Sequence, residues 1–427
     1  MHEVTDTTVS PPSAFAQLGA FLLDAGYAVT DVDFSLYKVA EKAGYPDMAF
    51  VVLPATVFAS DHPGDATTVV NATGVELPLL ITARANLLVR RLLAGKVPFW
   101  RIPEHIAKVR ASTAHITWWE LLLGSSGLAG GLGVLFRIPW WAVIATFVLG
   151  ALIGVAIHLG SKVRGAGTII TFLVAFGTTL SVGLLASHFE LGPIPLFAVC
   201  APLAVLVPGT TITNALLELS ATDMITGSSR LMYGLLVLAF MTVGIGAAAM
   251  ATGLRIDASA AHLLGDVTRV STDMAGISAL PPLWFSWIGV VVMAAGIGLA
   301  FKAGWRLTLL SIPAMLLTYA GIMVLTPHIG SIGATGVVGA VFFFFARVVE
   351  RFEPRAPAIV TFRPAFILLV PGIVGLVALT TFDNQTVVTA LGTFLSLSIG
   401  TKGGAVVADL IFRHEPNAEE PFNDMAA

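Results

Sequence analysis

The residues best suited to chemistry follow a Pro-Gly pair in the middle of an apolar run. After Pro208-Gly209 the chain reads Thr210-Thr211-Ile212-Thr213-Asn214, then Glu218, Asp223 and Arg230. Thr211, Asn214 and Glu218 recur at helical spacing, so they share one face of a helix that begins after the break. Such a helix offers a positive N-terminal end and free backbone donors, which suit a carboxylate or another anionic group. Carbonyls freed before the break can receive an ammonium, so a zwitterionic amino acid fits both ends. The competing reading is a proline kink packed on a neighbour, with Glu218 and Asp223 at the membrane interface. Leu206-Val207-Pro208-Gly209 has a second copy at Leu369-Val370-Pro371-Gly372. Interrupted helices at matching places in two halves of a chain point to a transporter's binding site. The candidate substrate contacts are therefore Pro208, Gly209, Thr210, Thr211, Asn214, Glu218, Pro371 and Gly372.

Other polar positions in apolar runs are candidates of a weaker kind. Thr171, Thr178 and Ser181 share one face, as do Thr389, Thr393, Ser396, Gly400 and Gly403. Hydroxyl stripes in membranes are more often packing surfaces than substrate contacts; Thr178 is the one retained as a contact. Lys402 lies about ten residues, roughly 15 Å, inside the last run, where a lysine costs about 2.5–3.5 kcal/mol on insertion scales. With Asp223 and Asp409 it forms the candidate coupling set. Proton coupling or charge recognition competes here with a structural ion pair. The pairs Gly127/Gly131 and Gly150/Gly154, and Gly330, Gly333, Gly336 and Gly339 at every third position, predict close helix contact.

These positions need a membrane around them. Of 427 residues, 56% are hydrophobic and 11% charged, against about 25% charged in soluble domains. The chain is therefore read as an integral membrane protein. Apolar runs near 118–136, 139–159, 167–188, 194–219 and 231–252, then 282–301, 306–325, 329–349, 364–382 and 386–412, are each about long enough to cross the hydrocarbon core. They predict ten spans in two groups, 118–252 and 282–412, with a connector at 253–281. Pro208 and Pro371 are 163 positions apart, as are the run openings Trp118 and Pro281. Five spans per group put the second copy in the membrane upside down, an inverted repeat.

Residues 13–117 are too polar to cross a bilayer and read as a small α+β domain. A long helix is expected from Ala14 to Ala43, weakened at Gly19 and Gly26, then strands at Met48–Leu53, Thr56–Ala59 and Thr67–Asn71. Helices follow over Leu77–Leu93 and Pro103–Ser112, carrying a basic surface. Residues 1–12 are expected to be a disordered tail without a cleaved signal peptide, and 413–427 a cytoplasmic tail. Lysine and arginine concentrate in loops on the side of this domain, from Lys162 and Arg230 to Arg347 and Arg363, against Arg137, Arg255 and Arg269 opposite. Both termini are therefore expected in the cytoplasm.

Several chemistries lack a signature. Cys200 is the only cysteine, and the histidines show no ligand spacing, so no metal site is expected. A phosphate loop, GxSxG and HExxH are all absent, so neither an ATP-driven pump nor an enzyme is expected. A net charge of −3 gives no reason for a nucleic-acid partner.

Leu18-Gly19-Ala20-Phe21-Leu22-Leu23-Asp24-Ala25-Gly26-Tyr27-Ala28-Val29, the later Val39–Tyr45, and the two Val-Pro-Gly breaks together resemble the bacterial threonine/serine exporters over nearly the whole chain. Asn214, Gly227 and Arg230 after the first break belong to that resemblance. After Pro371-Gly372 no Thr/Asn run follows, and the role of Asp257–Asp273 in the long connector stays open. The resemblance implies export of threonine and serine driven by the proton motive force, with protons as the coupling ion and no cofactor. It places the chain in the bacterial inner membrane, with self-association into a homo-oligomer left open. The alternatives are transport of another small organic anion such as a dicarboxylate, or a membrane-anchored cytoplasmic domain with a regulatory or enzymatic role.

Overall fold

The computed structural model describes residues 9–74, 77–112, 116–163, 167–220, 223–257, 276–352, 358–369, 371–381 and 384–412. Residues 1–8 of the tail expected at 1–12, the tail at 413–427 and connector residues 258–275 lie outside the described residues, as do the side chains of Thr210 and Pro371; Pro11 and Pro12, expected in the tail, open the first helix instead.

The N-terminal unit opens with two helices, α1 (Pro11–Asp24) and α2 (Val29–Lys42), where one was expected. Gly26 adopts φ +85°, a left-handed conformation that ends α1. The N–H of Gly26 donates to Leu23 and that of Tyr27 to Leu22, which satisfies the last carbonyls of α1. The apolar stripe that suggested one helix is real on both sides of the turn: Phe15, Leu18, Leu22 and Leu36 are all buried in one core. Strands β1 (Ala49–Leu53), β2 (Thr56–Ser60) and β3 (Thr68–Asn71) form an antiparallel sheet in that order. Helices α3 (Leu79–Leu93) and α4 (Ile102–Ala111) complete the unit. Buried Asp24 ties it together, accepting from the Thr73 and Gly74 N–H groups and pairing with Arg110 at 2.7 Å.

The rest of the described chain is almost entirely helical. The helices are α5 (Trp118–Leu135), α6 (Trp140–Gly160), α7 (Gly167–His188), α8 (Leu196–Cys200), α9 (Gly209–Ser220), α10 (Met224–Thr252) and α11 (Phe285–Ala300). They continue as α12 (Trp305–Phe352), α13 (Ala358–Leu368), α14 (Pro371–Thr381) and α15 (Asn384–Phe412). Short strands β4 (Ile194–Pro195) and β5 (Ile256–Asp257) pair in parallel. By length and composition α6, α7, α10, α12 and α15 can cross a membrane, while α11 is apolar but shorter. Large apolar side chains such as Ile144, Val148 and Leu152 on α6, and Leu391, Leu395 and Ile399 on α15, face outward. Rows of exposed apolar groups at helical spacing are what a lipid-facing surface requires.

α12 counts 48 residues. At about 1.5 Å per residue that is more than twice the hydrocarbon thickness. Gly330, with φ +73°, breaks it, and a methyl on Gly321 would lie 3.0 Å from Val338. The two arms therefore fold back on each other. Gly330 is a turn rather than one of the close contacts expected of its glycine series, whereas Gly336 and Gly339 do press on Ser396 and Leu397 of α15.

α5 and α11 pack along their length with glycine on both sides. Gly124 faces Ala300, Gly127 faces Gly296, and a methyl on Gly131 would lie 2.6 Å from the Met293 nitrogen. Residue numbers rise along one helix as they fall along the other, so the two run antiparallel. Gly150 and Gly154 of α6 similarly abut Ser125 and Leu121 of α5. Each of these glycine pairs lets two backbones touch.

Candidate functional site

The two Pro-Gly pairs do not kink continuous helices. Each opens a separate short one. A 3-10 turn at Pro202–Val205 ends the first half of the run, Leu206–Pro208 is non-helical, and α9 starts at Gly209. The Ile212 N–H donates to the Pro208 carbonyl at 3.0 Å, so Pro208 occupies the position before the first helical residue. Pro371 is itself the first residue of α14. Proline is well accommodated there because the first N–H groups of a helix have no partner within it. The short helices match closely, 12 residues for α9 and 11 for α14. They also meet: α9 packs on α10, α13, α14 and α15, and α14 packs on α8, α9, α10 and α15.

The polar face after Pro208 divides. Thr211 is half-buried, and Asn214 reaches a cavity described below. Glu218 goes elsewhere. Its side chain is 0% exposed; it pairs with Arg230 and accepts from the Val29 N–H at 3.0 Å. Val29 is the first residue of α2, so this carboxylate closes the N-terminal end of a helix in the other unit. The Arg230 guanidinium also donates to the Tyr27 carbonyl at 3.4 Å. Asp223 caps α10 by accepting from the Thr226 N–H at 3.2 Å.

The remaining candidates lie apart from the breaks. Thr178 is buried in α7, which packs mainly on α10. Its stripe neighbours Thr171 and Ser181 donate to carbonyls of their own helix, Gly167 and Gly177. On α15, Ser396 donates to the Ile332 carbonyl at 2.7 Å and Gly400 abuts Gly336, so the middle of that stripe packs against α12, while of its ends Thr389 is half-buried and Gly403 exposed. Lys402 is half-buried, Asp409 is exposed, and no ion pair joins them. Lys402→Ala is expected to leave the folded yield unchanged, because it removes an amine without a described partner; gel filtration of detergent extracts checks this.

The N-terminal unit is bound to one face of the helical bundle. The Leu79 and Leu80 N–H groups, at the start of α3, donate to the Phe301 and Lys302 carbonyls that end α11. Lys302 pairs with Glu120 in the first turn of α5 at 2.9 Å. Glu350, near the end of α12, accepts from Asn86 at 3.5 Å and lies 3.6 Å from Arg90 and 3.4 Å from Arg347. Spacing arguments miss this cluster because Arg90 and Glu350 are 260 positions apart. Between the unit and the bundle is a cavity of ≈ 890 Å³, bounded by α2 and α3 on one side and by Asn214, Arg347, Arg363 and Thr401 on the other.

A family model described as "Putative threonine/serine exporter" matches residues 13–252, a stretch that ends with α10 at Thr252. No curated protein and no solved structure matches the chain.

Proposed function

We propose, since the chain belongs to the threonine/serine exporter family, that it is a secondary active transporter moving threonine and serine out of the cell by alternating access around its two broken helices, driven by the proton motive force. The observation that carries the mechanism is the meeting of α9 with α14. Each helix begins within the bundle and turns its positive end inward, which suits a carboxylate, although the Gly209 N–H itself donates to the Val207 carbonyl at 2.8 Å. Backbone irregularity at membrane depth is stable only where it is buried in protein or lines a cavity, and transporters use such places as sites.

An inverted repeat of two five-span groups, 118–252 and 282–412, accounts for the packing. Corresponding helices α5 and α11 run antiparallel. α9 packs on α15 while α14 packs on α10, the exchange that a two-fold relation demands. The last helix of each group, α10 and α15, is 29 residues long. The face that carries the N-terminal unit also carries Arg230, Lys302 and Arg347. The excess of cations supports a cytoplasmic location for that unit, and so for both termini, in a bacterial inner membrane.

Purified protein reconstituted in vesicles should release labelled threonine when a pH gradient is imposed; no movement of threonine or serine under any gradient would sink the reading. Pro208→Ala permits α9 to extend backwards through the break. It is expected to slow transport by roughly tenfold, equivalent to about 1.4 kcal/mol, with a smaller effect on folding. Equal losses of transport and membrane expression would instead make the break a packing feature.

A further inference from the structure

The cavity between the N-terminal unit and the bundle is bordered by two residues with buried, unpaired donors and by an exposed aspartate. Tyr27 lines it and is 8% exposed, and its hydroxyl has no hydrogen-bond partner among the described residues. The Nε of Arg347 is likewise buried without an acceptor. Buried donors are nearly always paired in folded proteins; both atoms are sealed from the cavity in this structure, so an acceptor there reaches them only when the side chains turn toward it. Asp31 lines the same space, and its carboxylate accepts no hydrogen bond from any described residue. Glu350 is not comparable, because Arg90, Arg347 and Asn86 already engage it.

Electrostatics sharpen the pattern. Burial, then the charges of Glu350 and Asp31, push the Tyr27 phenol far above its ordinary range, so it remains a donor. Asp31 is exposed yet closely surrounded by protein. That desolvation pushes its carboxyl up, Arg347 draws it down, and Glu350 pushes it up again. An ammonium at this carboxylate would favour its charged form. Lys38, held over Phe34 at 4.2 Å, together with Lys42 and Arg363, makes the wall cationic away from Asp31. At ≈ 890 Å³ the space is of a size with small-molecule pockets, which form preferentially where domains meet.

We propose that this cavity is a binding site for a free α-amino acid in its zwitterionic form, with the ammonium against Asp31 and the carboxylate against Arg347 and Tyr27. The site meets the first of the two broken helices, α9, at Asn214. It rests on the transport reading only for the choice of threonine as the amino acid.

Ser35 lines the cavity, and the only native cysteine, Cys200, is 0% exposed. In Ser35→Cys, full-length and in detergent, one accessible thiol therefore reports on the space. L-Threonine is expected to slow maleimide labelling of that thiol several-fold. N-Acetylthreonine and threonine methyl ester, each lacking one of the two charges, should not. Asp31→Asn or Arg347→Gln in the same background should abolish protection. Labelling indifferent to threonine, or slowed equally by the two analogues, overturns the site, and neither result depends on a second substitution folding. Threonine flux through the same protein in vesicles separates the two readings. Flux without protection refutes this site alone, and protection without flux refutes the transport reading alone.

Discussion

Glu218→Ala is expected to destabilise the protein by about 3–5 kcal/mol, the cost of removing one partner from a buried ion pair. The residue is wholly buried, and Arg230 is only 15% exposed at its side chain. Alanine would leave that guanidinium largely desolvated without its counter-charge. The Val29 N–H would lose its acceptor at the same time. Because the lost contacts join α9 and α10 to α2, the loss should appear as release of the N-terminal unit, not as unfolding of the bundle. Limited trypsin digestion would then cut after Arg110, the last arginine or lysine before α5, well below the melting temperature of the variant. Glu218→Gln, which keeps an acceptor for Val29, should do less harm. Unchanged melting and unchanged digestion in Glu218→Ala would mean that the contact does not hold the two parts together.

Gly131→Leu should have an effect at least as large, by a different route. The first added carbon would already lie 2.6 Å from the Met293 nitrogen and 2.7 Å from the Gly289 carbonyl oxygen. Both are backbone atoms of α11, so relief requires the helices to separate. Overpacking ordinarily costs about 1–3 kcal/mol. Here the backbone is the obstacle and the strain spreads along a seam that also includes Gly124, Gly127 and Gly296. The expected result is loss of the monodisperse peak in gel filtration of detergent extracts. Gly403→Ala on α15 is the control: nothing lies within 4 Å of the added carbon, and alanine favours a helix by about 1 kcal/mol over glycine. A folded Gly131→Leu protein as stable as this control would mean that α5 and α11 do not pack as described.

Both predictions show where reading a sequence stops. Gly127/Gly131 and Gly150/Gly154 announced close contact through their spacing alone, since small residues four apart line one face of a helix. Their partners, α11 and α5, could not be read off, because any glycine-bearing helix could have filled the role. The face from Thr211 to Glu218 is visible as a periodicity, which by itself describes one wall of one site. Periodicity assigns residues to a side of a helix. It does not say that Asn214 would meet a cavity while Glu218, one turn on, would meet the end of α2. The helix expected from Ala14 to Ala43 failed for a related reason: the apolar stripe continues through Gly26, and only that residue's left-handed backbone reverses the chain.

By itself the sequence determined everything that depends on local composition: apolar runs long enough to cross a membrane, two Pro-Gly interruptions, three short strands and the glycine faces. Hydrocarbon thickness, proline's missing donor and glycine's missing side chain act on the chain where they occur, so they can be read where they occur. Tertiary structure alone decided that α9 and α14 touch, that α12 doubles back, that Glu218 binds the N-terminal unit, and that Tyr27, Asp31 and Arg347 border one cavity. Those are meetings of residues up to hundreds of positions apart. They follow from which surfaces bury one another best, a property of the whole packed chain and not of any stretch within it.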